Sequence, residues 1–576
     1  MKKLMLGNEA VARGLWESGV RFVSSYPGTP STEITEEAAK YDEIYAEWAP
    51  NEKVALEGAI GAAVGGGRAF CGMKHVGLNV AADPLFVCGY TGIAAGLVIG
   101  VADDPGMHSS QNEQDSRRYA IAAKLPMIEP ADSAECVAYT KAAYDLSERF
   151  DTPVLLRMTT RAAHSRGIVE PGARTAYEIR PYEKNPAKYV MMPANAKKRH
   201  VVVEEHLAAL REFAETTELN RVEVSEGATV GIITSGNAYN YAREVFGDSA
   251  SYLKLGLIFP MPERLICDFA AQYPTVIVVE ELEPVIEEFC RQHGIDVIGK
   301  DRLPICGEYS DQLLREKLLG EEADNTMLGD EIPGRPPVLC PGCPHRGVFY
   351  TLGKLKLRVS GDIGCYTLGA VKPLDAIDSV YCMGASISSL HGTAKVRGEE
   401  DKYVAVIGDS TFMHSGLTGL VNVVYNGGNT TTIILDNSIT GMTGHQDNPL
   451  TGKTLKGTVA PNLCLEDICA SLGIDRAHIR AVDPNDLAAL ETVIREETAA
   501  PCASVIIARR PCALLKSVKR KPSLRIDEEK CIGCRSCMRI GCPCISIESK
   551  KAKIDATMCI GCGLCPQMCR LGAIVE

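Results

Sequence analysis

Two oxygen-bearing side chains, Asp409 and Asn437, each follow a predicted strand, and one predicted helix separates the two strands. Residues 403–407 (YVAVI) and 430–435 (TTTIIL) are short, apolar and mostly β-branched, and residues 417–425 between them have a helical pattern. The strands of such a unit are parallel, so their carboxyl ends meet at one edge of the sheet. A carboxylate and an amide oxygen placed there suit a hard divalent cation that also holds phosphate oxygens. The alternative is a pair of ordinary polar loop residues.

The end of the chain carries the densest group of metal-binding side chains. Nine of the 23 cysteines fall between residues 531 and 569. Eight of them form two runs, Cys531-x2-Cys534-x2-Cys537-x4-Cys542 and Cys559-x2-Cys562-x2-Cys565-x3-Cys569. Such runs are the pattern of proteins that bind two [4Fe–4S] clusters, in which the fourth cysteine of each run ligates the other cluster. Structural zinc is the alternative, although zinc sites pair two CxxC units and do not repeat CxxCxxC.

This pattern predicts two sets of ligands. One cluster takes Cys531, Cys534, Cys537 and Cys569, and the other takes Cys559, Cys562, Cys565 and Cys542. The first run departs from the usual spacing because four residues, and not three, precede its last cysteine. Cys544 is therefore an alternative to Cys542.

An isolated acid, Glu52, begins a predicted helix over residues 51–63 that is rich in small side chains. Residues 26–32 (YPGTPST) precede it and form a turn that contains Thr29. Small residues at close spacing predict tight packing, and an acid among them needs a partner. The alternative for Glu52 is a helix N-terminal acid that complements the helix dipole.

Together these two segments resemble the pyrimidine-binding domain of the 2-oxoacid:ferredoxin oxidoreductases. The resemblance implies that Glu52 hydrogen-bonds N1′ of the aminopyrimidine of thiamine diphosphate, which is the proton relay that a thiamine site requires. It also implies that Thr29 contacts the substrate carboxylate.

The pair described first also resembles this family, in its Mg–diphosphate motif. The resemblance implies Asp409, Asn437 and the Ile439 carbonyl as Mg²⁺ ligands. It also implies that several neighbouring residues face thiamine diphosphate: Cys340 and Cys343 of a CPGC loop, Cys365 of GDIGC, Gly384 of a turn, and Gly408 and Ser410 beside Asp409. By itself the CPGC loop could be half of a zinc site or a redox pair.

Two departures from the family's pyruvate enzymes bear on the substrate. Met442 stands where those enzymes have an asparagine, which makes the pocket apolar and adaptable. No arginine stands near residues 102–104, so Lys74 or His75 would have to supply the positive charge, and His445 is a polar candidate in the pocket. These features suit a 2-oxoacid with a larger side chain, and the resemblance implies an arylpyruvate such as indolepyruvate. Pyruvate, 2-oxoglutarate and phenylglyoxylate are the alternatives.

The resemblance covers nearly the whole chain and implies an α/β, multidomain thiamine-diphosphate enzyme with a two-[4Fe–4S] ferredoxin-like tail. The order is a pyrimidine-binding domain (1–165), a connector (166–225), a transketolase C-terminal-like domain (226–305), a linker (306–337), a diphosphate and Mg²⁺ domain (338–515) and the ferredoxin-like domain (520–576). The implied reaction is oxidative decarboxylation, with coenzyme A taking the acyl group and ferredoxin the electrons. A smaller β subunit is the implied partner, in an assembly of two α and two β chains. A non-catalytic electron-transfer subunit is the remaining alternative.

Composition narrows the classes of function. The 576 residues carry a net charge of −12, which gives nucleic-acid binding no electrostatic support. Asn8 and Glu9 interrupt the apolar N-terminal run, so no signal peptide is predicted and a cytoplasmic location is expected. Residues 84–102 are uncharged, but acids and no basic residues flank them. We expect a buried helix there and no contact with a membrane.

Overall fold

The computed structural model describes residues 1–322, 336–399 and 403–576 and divides into two compact units, Met1–Gly329 and Asp330–Glu576. Residues 323–335 of the predicted linker lie outside the described residues. Each unit is built on parallel β-structure. No helix in the described part of the chain is both long and apolar enough to cross a membrane.

The strands of the first unit form two main sheets. In chain order they are β1 Lys3–Leu6, β2 Phe22–Ser25, β3 Tyr45–Trp48, β4 Ala69–Lys74, β5 Leu97–Asp103, β6 Met127–Ile128, β7 Val154–Thr159, β8 Arg166–Val169, β9 Arg221–Glu223, β10 Val230–Ser235, β11 Ala250–Leu255, β12 Leu257–Phe259 and β13 Thr275–Val279. A seven-stranded sheet has the order β12-β6-β7-β5-β4-β2-β3, with β12 alone antiparallel. A four-stranded sheet has the order β13-β10-β11-β9, with β9 antiparallel to β11, and β1 pairs with β8.

Helices cover these sheets. They are α1 Gly7–Glu17, α2 Thr32–Ala38, α3 Glu52–Val64, α4 His75–Val80, α5 Ala82–Thr91, α6 Ser116–Ala123, α7 Ser133–Arg149, α8 Thr160–His164, α9 Pro186–Tyr189, α10 Pro193–Ala214, α11 Ala238–Phe246, α12 Glu263–Ala270, α13 Val285–Gln292 and α14 Asp311–Leu314. The predicted helix at residues 51–63 is confirmed as α3, and Asn51 caps it by accepting a hydrogen bond from the Val54 N–H.

The prediction of one helix over residues 84–102 is wrong. The segment contains the end of α5, a turn and then β5, a fully buried strand in the middle of the seven-stranded sheet. Gly92 ends α5 with φ +62°, and a Cβ there would lie 2.6 Å from the Asp151 carboxylate. The chain therefore breaks at Gly92, and the apolar run is divided between two buried elements.

The second unit contains a five-stranded parallel sheet and the cysteine-rich tail. Its sheet strands are β14 Arg358–Ser360, β15 Tyr403–Gly408, β16 Thr431–Asp436, β17 Ile479–Val482 and β18 Ser504–Arg509, in the order β14-β15-β16-β18-β17. Its helices are α15 His345–Leu355, α16 Ala385–Arg397, α17 Asp409–Thr411, α18 Leu417–Tyr425, α19 Leu465–Ser471, α20 Leu487–Thr498 and α21 Leu564–Met568. The tail adds β19 Arg525–Ile526, β20 Ile545–Glu548, β21 Lys551–Ile554 and β22 Ile574–Val575.

The predicted strand–helix–strand unit is confirmed as β15, α18 and β16, and the two strands are parallel neighbours. Between Asp409 and α18 the helix widens into one π-helical turn, Phe412–Gly416. Such turns occur frequently at functional sites.

The tail is fixed to the loop that precedes α20. The Gln567 amide donates to the Asn485 carbonyl at 2.7 Å, and its oxygen accepts from the Leu487 N–H at 3.1 Å. The Asn485 amide donates to the Cys562 carbonyl at 3.2 Å. The apolar core of the tail includes Tyr350 and Leu487, so the tail and the helices of the five-stranded sheet share buried surface.

Candidate functional site

Asp409 lies at the carboxyl end of β15 with a carboxylate that the protein satisfies only in part. The side chain is 2% exposed, and Oδ1 accepts a hydrogen bond from the Ser410 N–H at 2.6 Å. Oδ2 is buried and has no hydrogen-bond partner among the residues that the structure describes. Burial and the nearby Asp436 carboxylate raise the pKa of Asp409 to about 7, while the N–H groups of residues 438 and 439 oppose that rise. A buried carboxylate oxygen without a partner fits a cation ligand.

Asn437 follows the adjacent strand, β16, and faces the same edge. Its Oδ1 accepts from the Ile439 N–H at 3.2 Å, and its Nδ2 lies 3.5 Å from Nε2 of His345 at the start of α15. Burial lowers the pKa of His345 to about 4, so the ring is neutral. Ser410 joins the same group by accepting a hydrogen bond from the Thr440 hydroxyl at 3.0 Å. The parallel register thus brings Asp409, Asn437 and Ile439 to one sheet edge.

A second buried acid, Asp362, organises the loops beside this edge. Its carboxylate accepts from the N–H groups of Ile363, Gly384 and Ser386 at 2.8, 2.9 and 3.0 Å. Gly384 has φ +84°, and a Cβ there would lie 2.4 Å from the Ser415 Cβ, so only glycine fits this turn. Asp362 therefore holds the turn at Gly384 against the loop that carries Cys365.

Four cysteines that are far apart in the sequence gather at this edge: Cys340, Cys343, Cys365 and Cys512. Burial raises the pKa of Cys365 to about 11, and the nearby Cys512 and Cys340 thiols raise it further. Burial raises the pKa of Cys343 to about 12, with Cys340 and Cys365 again contributing. The Cys512 N–H donates to the Asn437 carbonyl at 2.9 Å. We call these four residues the sheet-edge cysteines.

Sequence reasoning missed Cys512. Cys365 and Cys512 lie near the CPGC loop and belong to no CxxC pair. The only sequence signal is position, because Cys512 comes three residues after the end of β18, the strand next to β16.

Neighbouring thiols in the tail fall into two further groups, the first tail group around Cys537 and the second tail group around Cys565. Burial raises the pKa of Cys537, and the thiols that add to this rise are Cys534, Cys531 and Cys569. Burial likewise raises the pKa of Cys565, with added contributions from Cys562, Cys542 and Cys559. The first group lines a cavity between Ile526, Ala552 and Ile574. Cys544 neighbours Cys542 and Cys559, but it is not among the thiols that raise the pKa of Cys565.

No three His, Cys, Asp or Glu side chains within residues 1–322, 336–399 and 403–576 converge closely enough to hold one metal ion. Each of the three cysteine groups offers four thiols, the number of cysteine ligands that a [4Fe–4S] cluster takes.

In the first unit, Glu52 is buried at the start of α3 and packs tightly against α4. A Cβ added to Gly77 would lie 2.6 Å from Glu52 Oε1 and 2.7 Å from its Cγ. The carboxylate also lies close enough to Cys71 to raise the pKa of that thiol, which burial raises more strongly. Glu52 thus occupies a confined position that Gly77 leaves open.

Thr29 and Lys74 lie together at the carboxyl edge of the seven-stranded sheet. Nζ of Lys74 donates to the Ser109 carbonyl at 2.6 Å, and the Ser109 hydroxyl donates to the Thr29 carbonyl at 3.4 Å. Burial lowers the pKa of Lys74 to about 8, although Asp104 opposes the change. The neighbouring His75 is buried, with Nε2 3.3 Å from the Asn112 carbonyl and Nδ1 without a partner.

The two residues predicted to line a substrate pocket lie on an open loop of the second unit. Met442 is 55% exposed. His445 is exposed, has φ +70°, and places Nε2 3.9 Å from the Cys512 sulfur. The structure therefore joins His445 to the sheet-edge cysteines and leaves the Met442 side chain in contact with solvent.

Comparison with curated proteins gives full-length relatives. The chain is 40% identical to the indolepyruvate oxidoreductase subunit IorA of Archaeoglobus fulgidus, over 100% of the chain and 97% of the relative. The chain belongs to the IorA family. The IorA subunit of Methanothermobacter marburgensis is 41% identical over 99% of the chain and 96% of the relative.

Two family models also match the chain. One, described as pyruvate flavodoxin/ferredoxin oxidoreductase, thiamine diphosphate-binding, covers residues 13–224. The other, described as thiamine pyrophosphate enzyme, C-terminal TPP-binding domain, covers residues 362–508, which include Asp409 and Asn437. A solved 2-oxoglutarate:ferredoxin oxidoreductase from Magnetococcus marinus is 20% identical, covers 55% of this chain and 65% of its own, and has a TM-score of 0.47. The chain is therefore an oxidoreductase subunit with thiamine-diphosphate-binding domains.

Proposed function

We propose that this IorA-family chain carries out thiamine-diphosphate-dependent oxidative decarboxylation of arylpyruvates, with indolepyruvate, the compound in its relatives' names, as the leading substrate. The products are CO₂ and an aryl-acetyl-CoA, and two electrons leave through iron–sulfur clusters to ferredoxin. The observation that carries the proposal is the partnerless carboxylate oxygen of Asp409 beside Asn437 and four cysteines at one sheet edge. A single edge thus offers oxygen ligands for a cation and sulfur ligands for a cluster.

We assign Asp409, Asn437 and the Ile439 carbonyl as the groups that hold Mg²⁺ and, through it, the diphosphate. When bound, thiamine diphosphate supplies the electron sink for decarboxylation. The chain's own residues supply the anchoring: Asp362 fixes the Gly384 turn, and the neutral His345 ring lies beside the Asn437 amide. These contacts support a preorganised Mg²⁺ site.

For Glu52 we propose the role of accepting a hydrogen bond from, and exchanging a proton with, the aminopyrimidine. Its burial and the absence of a side chain at Gly77 support a fixed carboxylate position. A proton relay of this kind contributes about 10²- to 10⁴-fold to turnover. Thr29 and the Lys74 ammonium are our candidates for the substrate carboxylate, and Met442 and His445 for its aryl side.

The cysteines are proposed to hold three [4Fe–4S] clusters, one more than the sequence predicted. Two take the predicted ligand sets in the tail. Cys542 is preferred to Cys544 because the Cys542 thiol is one of those that raise the pKa of Cys565. The third takes the sheet-edge cysteines. Its support is that the four thiols neighbour one another, and that the Cys512 N–H donates to the Asn437 carbonyl.

A smaller β subunit completes the proposed enzyme, in an assembly of two α and two β chains, and ferredoxin is the proposed acceptor. Oxygen-labile clusters favour an anaerobic cytoplasm. Coenzyme A is proposed as the acyl acceptor. The alternatives are a different 2-oxoacid as substrate and an electron-transfer subunit without thiamine chemistry of its own.

The deciding assay is anaerobic reduction of a low-potential dye by the chain with its partner subunit, thiamine diphosphate, Mg²⁺ and coenzyme A. Indolepyruvate, phenylpyruvate, pyruvate and 2-oxoglutarate are compared at equal concentrations. We expect the two arylpyruvates to give the highest kcat/KM. Preference for pyruvate would overturn the substrate assignment and leave the thiamine chemistry in place.

Glu52→Gln tests the chemistry itself, with Glu57→Gln as its control. Both changes remove a carboxylate from α3, but Glu57 is exposed and pairs only with Lys53 on the helix surface. We expect Glu52→Gln to lower kcat by about 10²-fold or more and Glu57→Gln to leave it unchanged. Wild-type turnover by Glu52→Gln, with clusters intact, would favour the electron-transfer alternative.

A further inference from the structure

Arg346, at the start of α15, is a buried cation that neither the fold nor the proposed reaction accounts for. Its side chain is 2% exposed. Its Nε and Nη2 atoms donate to the Cys340 carbonyl at 3.3 Å, and Nη2 also donates to the Leu339 carbonyl. Nη1 donates to the Gly541 carbonyl and, at 3.3 Å, to that of Ile540. One guanidinium therefore joins the CPGC loop to the residues just before Cys542.

Arg346 has no acidic partner. Within the described residues no carboxylate lies at ion-pairing distance from it, and all its hydrogen bonds are to backbone carbonyls. Taking an arginine out of water without a counter-ion is expensive, and the group stays charged because its pKa is very high. A buried positive charge of this kind implies negative charge nearby in the working protein.

The negative charge would come from cysteine thiolates on two sides. Burial lowers the pKa of Arg346, whereas four neighbouring thiols raise it. These thiols belong to Cys542, Cys343, Cys340 and Cys562. Cys340 and Cys343 belong to the sheet-edge cysteines, and Cys542 and Cys562 belong to the second tail group. Gly342 of the CPGC loop completes the contact, because a Cβ there would lie 2.1 Å from the Ile560 side chain and 3.6 Å from the Cys562 Cβ.

We propose that Arg346 is a positioning residue shared by two iron–sulfur sites, and that its fixed positive charge raises the reduction potentials of both. The inference rests on the cluster assignment in the proposed function. It goes further by naming the pair of sites between which an electron passes, from the sheet-edge cysteines to the group containing Cys542.

The physical argument concerns charge in a dry region. A thiolate-ligated cluster gains one negative charge when it accepts one electron, and its potential depends on net charge, hydrogen bonds and burial. A guanidinium buried beside it stabilises the reduced form, and little water is present to screen the interaction. His345, the preceding residue, lies beside Asn437, so two consecutive residues link the proposed Mg²⁺ site to the second tail group.

The test is a redox titration of the holoprotein, followed by electron paramagnetic resonance, on three variants. Arg346→Gln removes the charge and keeps a hydrogen-bond donor, and Arg346→Lys keeps the charge. Arg539→Gln is the control, since Arg539 is an exposed arginine in the same tail. We expect Arg346→Gln to shift the reduction equilibria of both neighbouring clusters tenfold or more toward the oxidised form, which is about 59 mV for one electron. Arg346→Lys and Arg539→Gln should stay within threefold of the wild type.

The outcomes separate this inference from the proposed function. Wild-type protein with fewer than three clusters, or fewer than about twelve iron atoms per chain, would overturn the cluster assignment, and iron analysis reports this before any titration. Full iron content with unshifted potentials in Arg346→Gln would overturn only the role of Arg346. If Arg346→Gln cannot keep its iron, a Lys variant with a near-wild-type potential supports the fixed charge. A tenfold shift in that variant, or loss of its iron too, shows a structural role and overturns the inference.

Discussion

Gly77→Ala is the most stringent test of the role assigned to Glu52, because it changes a neighbouring residue and keeps the glutamate itself. The added methyl would lie 2.6 Å from Glu52 Oε1, 2.7 Å from Cγ and 2.8 Å from Cδ. Three overlapping atoms cannot be relieved by a small rotation of the carboxylate, so the whole Glu52 side chain must move.

Gly77→Ala has two opposing effects on the free energy of unfolding. Overpacking a buried contact costs about 1–3 kcal/mol, whereas alanine is favoured over glycine within a helix by about 1 kcal/mol. The free energy of unfolding should therefore fall by at most about 2 kcal/mol. Catalysis should suffer more, because a displacement of about 1 Å of a positioned group can cost about 100-fold in rate. A large loss of kcat with a small loss of stability is the expected signature.

Gly61→Ala is the matched control. Gly61 lies in α3, the helix that begins with Glu52, and a Cβ there would meet no atom within 4 Å. It should unfold at slightly higher urea concentration than the wild type and turn over at the same rate. Both variants are compared by urea unfolding and by anaerobic dye reduction with saturating thiamine diphosphate. Turnover of Gly77→Ala within threefold of the wild type would refute the view that catalysis depends on the position of Glu52.

Three further predictions concern other sites. Asp409→Asn should weaken Mg²⁺ binding in calorimetry by at least about tenfold, yet leave thermal stability without cofactor undiminished because Oδ2 has no partner to lose; unchanged affinity would contradict the ligand assignment. Cys569→Ser should lose about four iron atoms per chain, and Cys544→Ser none, by iron analysis; equal losses would reject the chosen ligand set. Arg68→Met should lower the free energy of unfolding in urea by about 3 kcal/mol or more. The reason is that Arg68 makes two hydrogen bonds, of 2.9 and 3.0 Å, to the largely buried Glu148. A loss under about 1 kcal/mol would show that this pair is not a strong contact.

Sequence patterns predicted the elements whose signals are local. The unit of β15, α18 and β16 has short apolar runs, turn residues and a helical period within 35 residues, from Tyr403 to Asn437, and it appears in the structure almost residue for residue. Parallel register then places Asp409 and Asn437 together without further information. The spacing of the tail cysteines is equally local, and the ligand sets that it predicts remain a prediction.

Features that depend on tertiary packing could not be predicted in this way. Residues 84–102 give the same apolar signal whether they form a helix or a buried strand, and the break at Gly92 depends on Asp151, a residue far along the chain. The apolar pattern of residues 252–262 predicts one strand, but the chain divides them between two sheets at Gly256. The N–H groups of Gly256 and Leu257 there donate to the Asn220 amide oxygen.

Cys512 and Arg346 illustrate the same limit for the site. Cys512 joins Cys365 only because β18 lies next to β16, and a sequence pattern does not give strand order. Arg346 is one residue beyond the CPGCPH motif, where an arginine would ordinarily be taken for a surface residue. Its significance comes from complete burial without an acid, which only coordinates reveal.

The attachment of the tail to the loop before α20 affects how quickly electrons could leave the second unit. Gln567, Asn485 and Leu487 clamp the second cysteine run in place, and Ile560 fills the space left by Gly342. A tail held in this way cannot swing between a donor and an acceptor as a mobile carrier does. Transfer within this unit should then proceed through fixed distances, and its rate should not change with solvent viscosity. Viscosity should slow only the encounter with the external acceptor.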